Sequence, residues 1–249
     1  MLRENSVQHK HKFRASSLGQ IMADPTSIDK SLLDDDLLVI AAKKKKTDED
    51  NALLAPYWDR SLSAGAKTVC EEIAKQMIYG FDVEISGKYL EKGLRVEDEA
   101  IELVNKVFFT NYKKNTERRS NAWITGECDI LIPGQRIIDV KSSWSLDTFP
   151  ATSNKGKDTG YEWQGRAYMW LWEVPEFEIN YCMVNTPDDL IGYEDSDLHY
   201  VDHIAPELRV TRVCYHRDMA LEAKMATKAE AAQKYIETLI QQIAAEHNY

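Results

Sequence analysis

The sequence predicts a mixed α/β fold: a central β-sheet flanked by helices, with a long helix over the C-terminal end. Three observations predict it. Helix-periodic segments alternate with short apolar runs of strand character, and a strand–turn–strand signal occupies the middle of the chain. The last stretch, about residues 218–247, carries Met225, Ala229, Ala232, Ile236, Leu239 and Ile243 at heptad spacing.

Taken in order, residues 13–24 suit a short capped helix with Ser16 or Ser17 as N-cap, and Arg14 beside such an N-terminus suits a phosphate. A second short helix is expected over 31–42, then a loop over 43–56, where Lys43–Lys46 and the acids after them read as a solvated linker. Residues 61–79 place Val69, Ile73, Ala74, Met77 and Ile78 on one helical face, ended by Gly80. From Gly93 a long helix follows with Val96, Ala100, Leu103, Val104 and Val107 inward, and Glu97 flanks that stripe. A polar loop over 144–160, expected to be mobile, precedes a helix over 161–172; strands are expected over 177–184 and 208–215. The C-terminal seam is expected to pack on the same chain, with oligomerisation as the second reading.

The most informative stretch runs from Gly126 to Lys141. Ile130–Ile132 and Ile137–Val140 are two apolar runs around the turn signal Pro133-Gly134, so a β-hairpin brings Asp129 and Asp139 together. Lys141, two residues beyond Asp139, falls on the same strand face. An Asp and a Lys at that spacing are ordinary as a surface ion pair. Their embedding in β-branched runs is not ordinary, because buried like-charged carboxylates are costly unless a cation neutralises them. Two acids and a lysine on one face are what metal-assisted phosphodiester hydrolysis requires, with carboxylate oxygens for Mg²⁺ or Mn²⁺ and an ammonium to place the attacking water.

Composition narrows the class. A chain of 249 residues with 43% hydrophobic and 29% charged residues can bury a substantial core. It reads as a single domain over 1–249, with its core over about 13–215. A net charge of −10 argues against a protein that coats nucleic acid, though not against local basic segments such as Lys113/Lys114, Arg118/Arg119 and Lys155/Lys157. No apolar run is long enough to span a membrane and the N-terminal residues lack an apolar signal core, so a cytoplasmic location is expected. Cys70, Cys128, Cys182 and Cys214 are scattered without a CxxC pair, which favours reduced thiols over an iron–sulfur cluster.

The ordered motifs G-x-x-x-E (Gly93, Glu97), G-x-x-D (Gly126, Asp129), D-x-K (Asp139-Val140-Lys141) and Q-x-x-x-Y (Gln164, Tyr168) resemble the PD-(D/E)xK nuclease superfamily. Within it, the chain is most similar to the lambda exonuclease, YqaJ viral recombinase and RecB-type nuclease branch, over about residues 13–184. The resemblance implies a restriction-endonuclease-like core and a Mg²⁺- or Mn²⁺-dependent DNA exonuclease of phage-type recombination or repair. It implies that Asp129, Asp139, the Val140 carbonyl and Glu97 bind the metal. Lys141 would orient or activate water, Gln164 would place Lys141 or the DNA backbone, and Arg14, Ser16 and Ser17 would lie near the DNA terminus. DNA is the implied partner, with a single-strand annealing protein and a homo-oligomer as further expectations. The alternatives are an endonuclease with the same site, a non-catalytic DNA-binding relative, and an iron–sulfur exonuclease relative.

Overall fold

The structure is a computed structural model that describes residues 10–83 and 86–247. In chain order it begins with strand β1 (Phe13–Arg14) and helices α1 (Gly19–Met22), α2 (Asp35–Ala42), α3 (Asp48–Arg60) and α4 (Ala64–Tyr79). Helices α5 (Lys88–Arg95) and α6 (Glu97–Phe108) follow, then strands β2 (Arg118–Ser120), β3 (Ile124–Glu127), β4 (Ile130–Ile132) and β5 (Arg136–Ser142). The remainder is α7 (Thr159–Trp172), β6 (Glu176–Cys182), α8 (Asp188–Ile191), β7 (Val210–His216) and α9 (Met219–Glu246). The chain divides into two compact units: Met1–Val83, Asn121–Ile124 and Met219–Tyr249 form one, Glu84–Ser120 and Thr125–Asp218 the other.

The first unit is helical. Ser63 Oγ accepts from Ala66 N–H at the start of α4, and Gly80 closes that helix in the left-handed region at φ 66°. The long α9 lies against α1, α3 and α4. Met225, Ala229, Ala232 and Ile236 of its seam are buried, so the heptad spacing serves packing within this unit. Two expectations are corrected here. Residues 43–56 are not a loop, because α3 starts inside them under a reciprocal cap of Thr47 and Asp50, with three acids in its first turn. Residues 13–24 are not one capped helix: β1 leads into a 3₁₀ turn over Ala15–Ser17 and then α1, with no side-chain cap on either. Ser17 Oγ instead donates to the Arg14 carbonyl at 3.3 Å.

The second unit is built on a four-stranded mixed sheet in the order β4-β5-β6-β7. β4 and β5 form the expected antiparallel hairpin, with Ile130 opposite Ile138 and Ile132 opposite Arg136. β5 and β6 are parallel, and α7 supplies the crossover that parallel neighbours need. β7 completes the sheet antiparallel to β6. Strand alternation then sorts the side chains. Ile138 and Val140 of β5 join Val96, Ala100, Ile101, Leu103 and Val104 in one apolar cluster, which seats α6 on one face. α7 contacts β5 and β6 as well, and its Gly165 approaches the buried Phe177 ring of β6.

The single helix expected from Gly93 onward is two helices. Val96, at φ −111° and ψ 13°, breaks the run, and Glu97 becomes the first residue of α6. The segment leading into α7 is a loop, as expected, with Trp144 and Ser145 buried and the Gly156 carbonyl accepting from the Tyr181 hydroxyl at 2.7 Å.

Candidate active site

Because Ile138 and Val140 face α6, the residues between and after them, Asp139 and Lys141, face the other way. Asp139 is 1% exposed in the middle of the sheet, paired across β6 with Ile179. Asp129 immediately precedes β4, and the hairpin register continues to set it beside Asp139. Its Oδ2 accepts the Val140 main-chain N–H at 2.7 Å, which fixes the carboxylate at the mouth of the hairpin.

Lys141 Nζ lies 2.7 Å from Asp139 Oδ2, an oxygen that receives no well-directed hydrogen bond. On its other side the ammonium sits 4.8 Å from the Tyr161 ring centroid. Gln164, 4% exposed on α7, donates through Nε2 to Asp139 Oδ1 at 3.2 Å and to the Tyr168 hydroxyl at 3.0 Å. That hydroxyl donates in turn to the Glu127 carbonyl at 2.9 Å. The chain Glu127–Tyr168–Gln164–Asp139 holds one carboxylate oxygen and leaves the second to Lys141. Sequence reasoning left Tyr168 out of the site, although its position one turn from Gln164 was the available signal.

Glu97 starts α6, where the positive end of the helix favours an acid. Its Oε2 is 2.5 Å from Lys114 Nζ, a pairing that nothing in the sequence singles out. The electrostatics tie these groups together. Burial first, and then the neighbouring charge of Asp139, holds Asp129 well above the ordinary carboxylate range, and Glu97 adds to that push. Burial alone would lower the Lys141 ammonium, but the charges of Asp139 and Asp129 outweigh it and keep its pKa above the usual lysine value.

Among the described residues no three His, Cys, Asp or Glu side chains gather into a ready-made metal cage. The reason lies in the partners: Glu97 is turned to Lys114, Asp129 to the Val140 N–H, and Asp139 to Lys141. The donor set nonetheless suits Mg²⁺ or Mn²⁺. Hard oxygens from two adjoining carboxylates, one carrying an oxygen without a directed hydrogen bond, match an ion that binds through one or two carboxylates and keeps its waters.

The structure therefore brings together Asp129, Asp139, Lys141 and Gln164, with Glu97 near enough to act on Asp129. Val140 contributes its N–H, while its side chain belongs to the apolar cluster. Arg14, Ser16 and Ser17 belong to the other unit.

Neither a protein-family model nor a curated protein matches the chain. Solved structures do. A phage-related exonuclease from Haemophilus somnus 129PT is 32% identical, over 96% of this chain and 99% of that one, with a TM-score of 0.79. LHK-Exo in complex with dAMP is similar at a TM-score of 0.60 and 15% identity, over 95% of this chain and 93% of that one. The alkaline exonuclease LHK-Exo from Laribacter hongkongensis reaches 0.56 at 17% identity, over 76% and 89% of the two chains. At those lower identities the last two share the fold. The first relative is matched at 32% identity over nearly its whole length, and on that ground the chain belongs to the phage-related exonuclease family.

Proposed function

We propose that this protein is a divalent-metal-dependent DNA exonuclease of the PD-(D/E)xK type, acting in phage-type recombination or repair. The observation that carries the reading is the Asp129–Asp139 pair, Asp139 buried and Asp129 half-buried beside it, with Lys141 set on Asp139. Two adjoining carboxylates drawn away from water are costly without a cation, and the lysine set on Asp139 balances only one charge.

Asp129, Asp139, the Val140 carbonyl and Glu97 would hold Mg²⁺ or Mn²⁺. When bound, the ion lowers the pKa of a water and offsets charge developing on the phosphate. The other roles fall to the chain itself. Lys141, kept protonated by the acids beside it, is a donor rather than a base, so it orients the attacking water or a phosphate oxygen. Gln164 holds Asp139 Oδ1 and so sets the direction of that carboxylate. Tyr168 keeps Gln164 from rotating away. Arg14, Ser16 and Ser17 are assigned to contacts with the DNA terminus.

The test is digestion of end-labelled linear duplex and single strands, with and without Mg²⁺, beside Asp129→Ala, Lys141→Ala and a circular substrate. Mg²⁺-dependent loss of linear DNA, survival of the circle and inactive variants are expected. Wild-type protein that degrades no DNA, or variants as active as wild type, would refute the reading. A homo-oligomer and a single-strand annealing partner belong to the same proposal, and light scattering of the chain alone and with such a protein addresses both.

A further inference from the structure

Lys92 is fully buried, at 0% exposure, and no carboxylate among the described residues pairs with it. Its Nζ donates to two main-chain carbonyls, Ser143 at 2.6 Å and Trp144 at 2.8 Å, and lies 5.9 Å from the Trp144 ring centroid. Burial pushes its ammonium down to about 8. An ammonium in such a place costs free energy that an apolar side chain of equal length would not. Its location shows what it does in return.

Ser143 and Trp144 come directly after β5. The Ser143 N–H still donates to the Cys182 carbonyl at 2.9 Å, but the carbonyls of Ser143 and Trp144 accept from Lys92 Nζ. The main chain of Lys92 closes the other side of the connection. Its carbonyl accepts the Val96 N–H at 3.0 Å, and the Val96 carbonyl accepts the Ala100 N–H at 2.9 Å. Val96 is the break between α5 and α6, and Glu97 follows it at once. One residue thus grips the end of the strand that presents Asp139 and Lys141 while its backbone anchors the turn that presents Glu97.

We propose that Lys92 is a positioning residue that sets the distance from Glu97 to the Asp129–Asp139 pair. The inference rests on the metal-site reading above. Neighbouring fastenings do not duplicate it. Thr186 Oγ1 also donates to the Trp144 carbonyl, at 3.0 Å, but it stands on a segment that does not lead into α6.

The experiment is calorimetric titration of Mn²⁺ into the metal-free full-length chain, with kcat and KM on linear duplex DNA and near-UV circular dichroism to establish the fold. Lys92→Met matches the side-chain length without the donors, and Lys92→Gln serves if that variant does not fold. The expected result is Mn²⁺ affinity about tenfold weaker, the range seen when groups that orient metal ligands are removed. A lower kcat with unchanged KM should accompany it. In a Glu97→Gln background Lys92→Met should add little further loss, whereas a merely structural role would add its full effect. Thr186→Val should leave Mn²⁺ affinity unchanged. A folded Lys92→Met protein with wild-type Mn²⁺ affinity and kcat would overturn the Lys92 role alone. Wild-type protein that binds no Mn²⁺, or Asp129→Ala that binds it as wild type does, would overturn the metal site and the Lys92 role together.

Discussion

Gly165 lies in the middle of α7, one residue after Gln164, where helix propensity alone favours alanine by about 1 kcal/mol. The packing argues the opposite. A Cβ at this position would stand 1.9 Å from Phe177 Cδ1 and 2.0 Å from Cε1, far inside van der Waals contact. The Phe177 ring is fully buried and lies 6.3 Å, centroid to centroid, from both Tyr168 and Tyr215, so it has little room to retreat. Overpacking of a full core costs about 1–3 kcal/mol, and a clash this deep belongs at the upper end. Subtracting the propensity gain leaves a net loss of about 2 kcal/mol for Gly165→Ala, or roughly 4–8 °C in Tm for a chain of this size. Because Gln164 is the adjacent residue, pushing α7 outward should also weaken its hold on Asp139 and lower kcat. Differential scanning fluorimetry and a nuclease assay on the same preparation measure both effects. Gly93→Ala in α5, where nothing lies within 4 Å of the added Cβ, should gain up to about 1 kcal/mol. Combining Gly165→Ala with Phe177→Leu should recover part of the loss. A Gly165→Ala protein as stable as wild type and fully active would refute the claim that helix–sheet contact excludes a side chain here.

Lys92 makes stability rise with pH. Its folded pKa of about 8 lies below the ordinary 10.5, so between those values the unfolded chain binds a proton that the folded chain does not. The gain from pH 7 to pH 10 is roughly 2 kcal/mol, and urea unfolding should show it in wild type and not in Lys92→Met; parallel pH profiles would refute it. Tyr168→Phe removes the hydroxyl between Gln164 and the Glu127 carbonyl, leaving the buried Gln164 amide and the part-buried carbonyl each short of a partner. A loss of about 1–3 kcal/mol with a lower kcat is expected, and unchanged unfolding and turnover would count against the relay. Thr47→Ala should cost about 1 kcal/mol by opening the α3 capping box, measured as a Tm shift.

The sequence showed the hairpin plainly because its signals are local: two apolar runs, a Pro-Gly turn, and acids at positions that the register must pair. The α6 stripe was equally legible, with Val96, Ala100, Leu103 and Val104 all buried as their spacing required. Local signals also misled. The lysine run at 43–46 drew attention from Thr47 and Asp50, which open a helix, and Gly93 was read as a helix start although it lies inside α5. Lys92 was not legible at all. A buried lysine looks like a surface lysine in sequence, and its partners are main-chain carbonyls that any residues could supply. The same holds for the pairing of Glu97 with Lys114, two charged residues brought together only by the fold.

The Asp129–Asp139 pair opposes folding, and Asp129 shows the sign. Its folded pKa is raised, by burial first and Asp139 second, so its ionisation works against folding. That penalty is absent at a pH where both states keep the proton and grows as pH rises through the ordinary carboxylate range toward the raised folded value. The metal-free chain should therefore gain stability when Asp129 loses its charge without losing its shape. Asp129→Asn does that. The amide oxygen can still accept the Val140 N–H, while the repulsion with Asp139 disappears. On the order of 1 kcal/mol or more of added stability is expected at pH 8, shrinking toward pH 5 as the wild-type acid takes up its own proton. Nuclease activity should be lost, because a neutral amide cannot anchor a divalent cation as a carboxylate does. Thermal denaturation of both proteins across that pH range, in chelator, tests the sign directly. If Asp129→Asn melts below wild type at pH 8, the carboxylate pair is a structural asset of the fold rather than a charge awaiting a cation, and the physical case for a metal site fails with it.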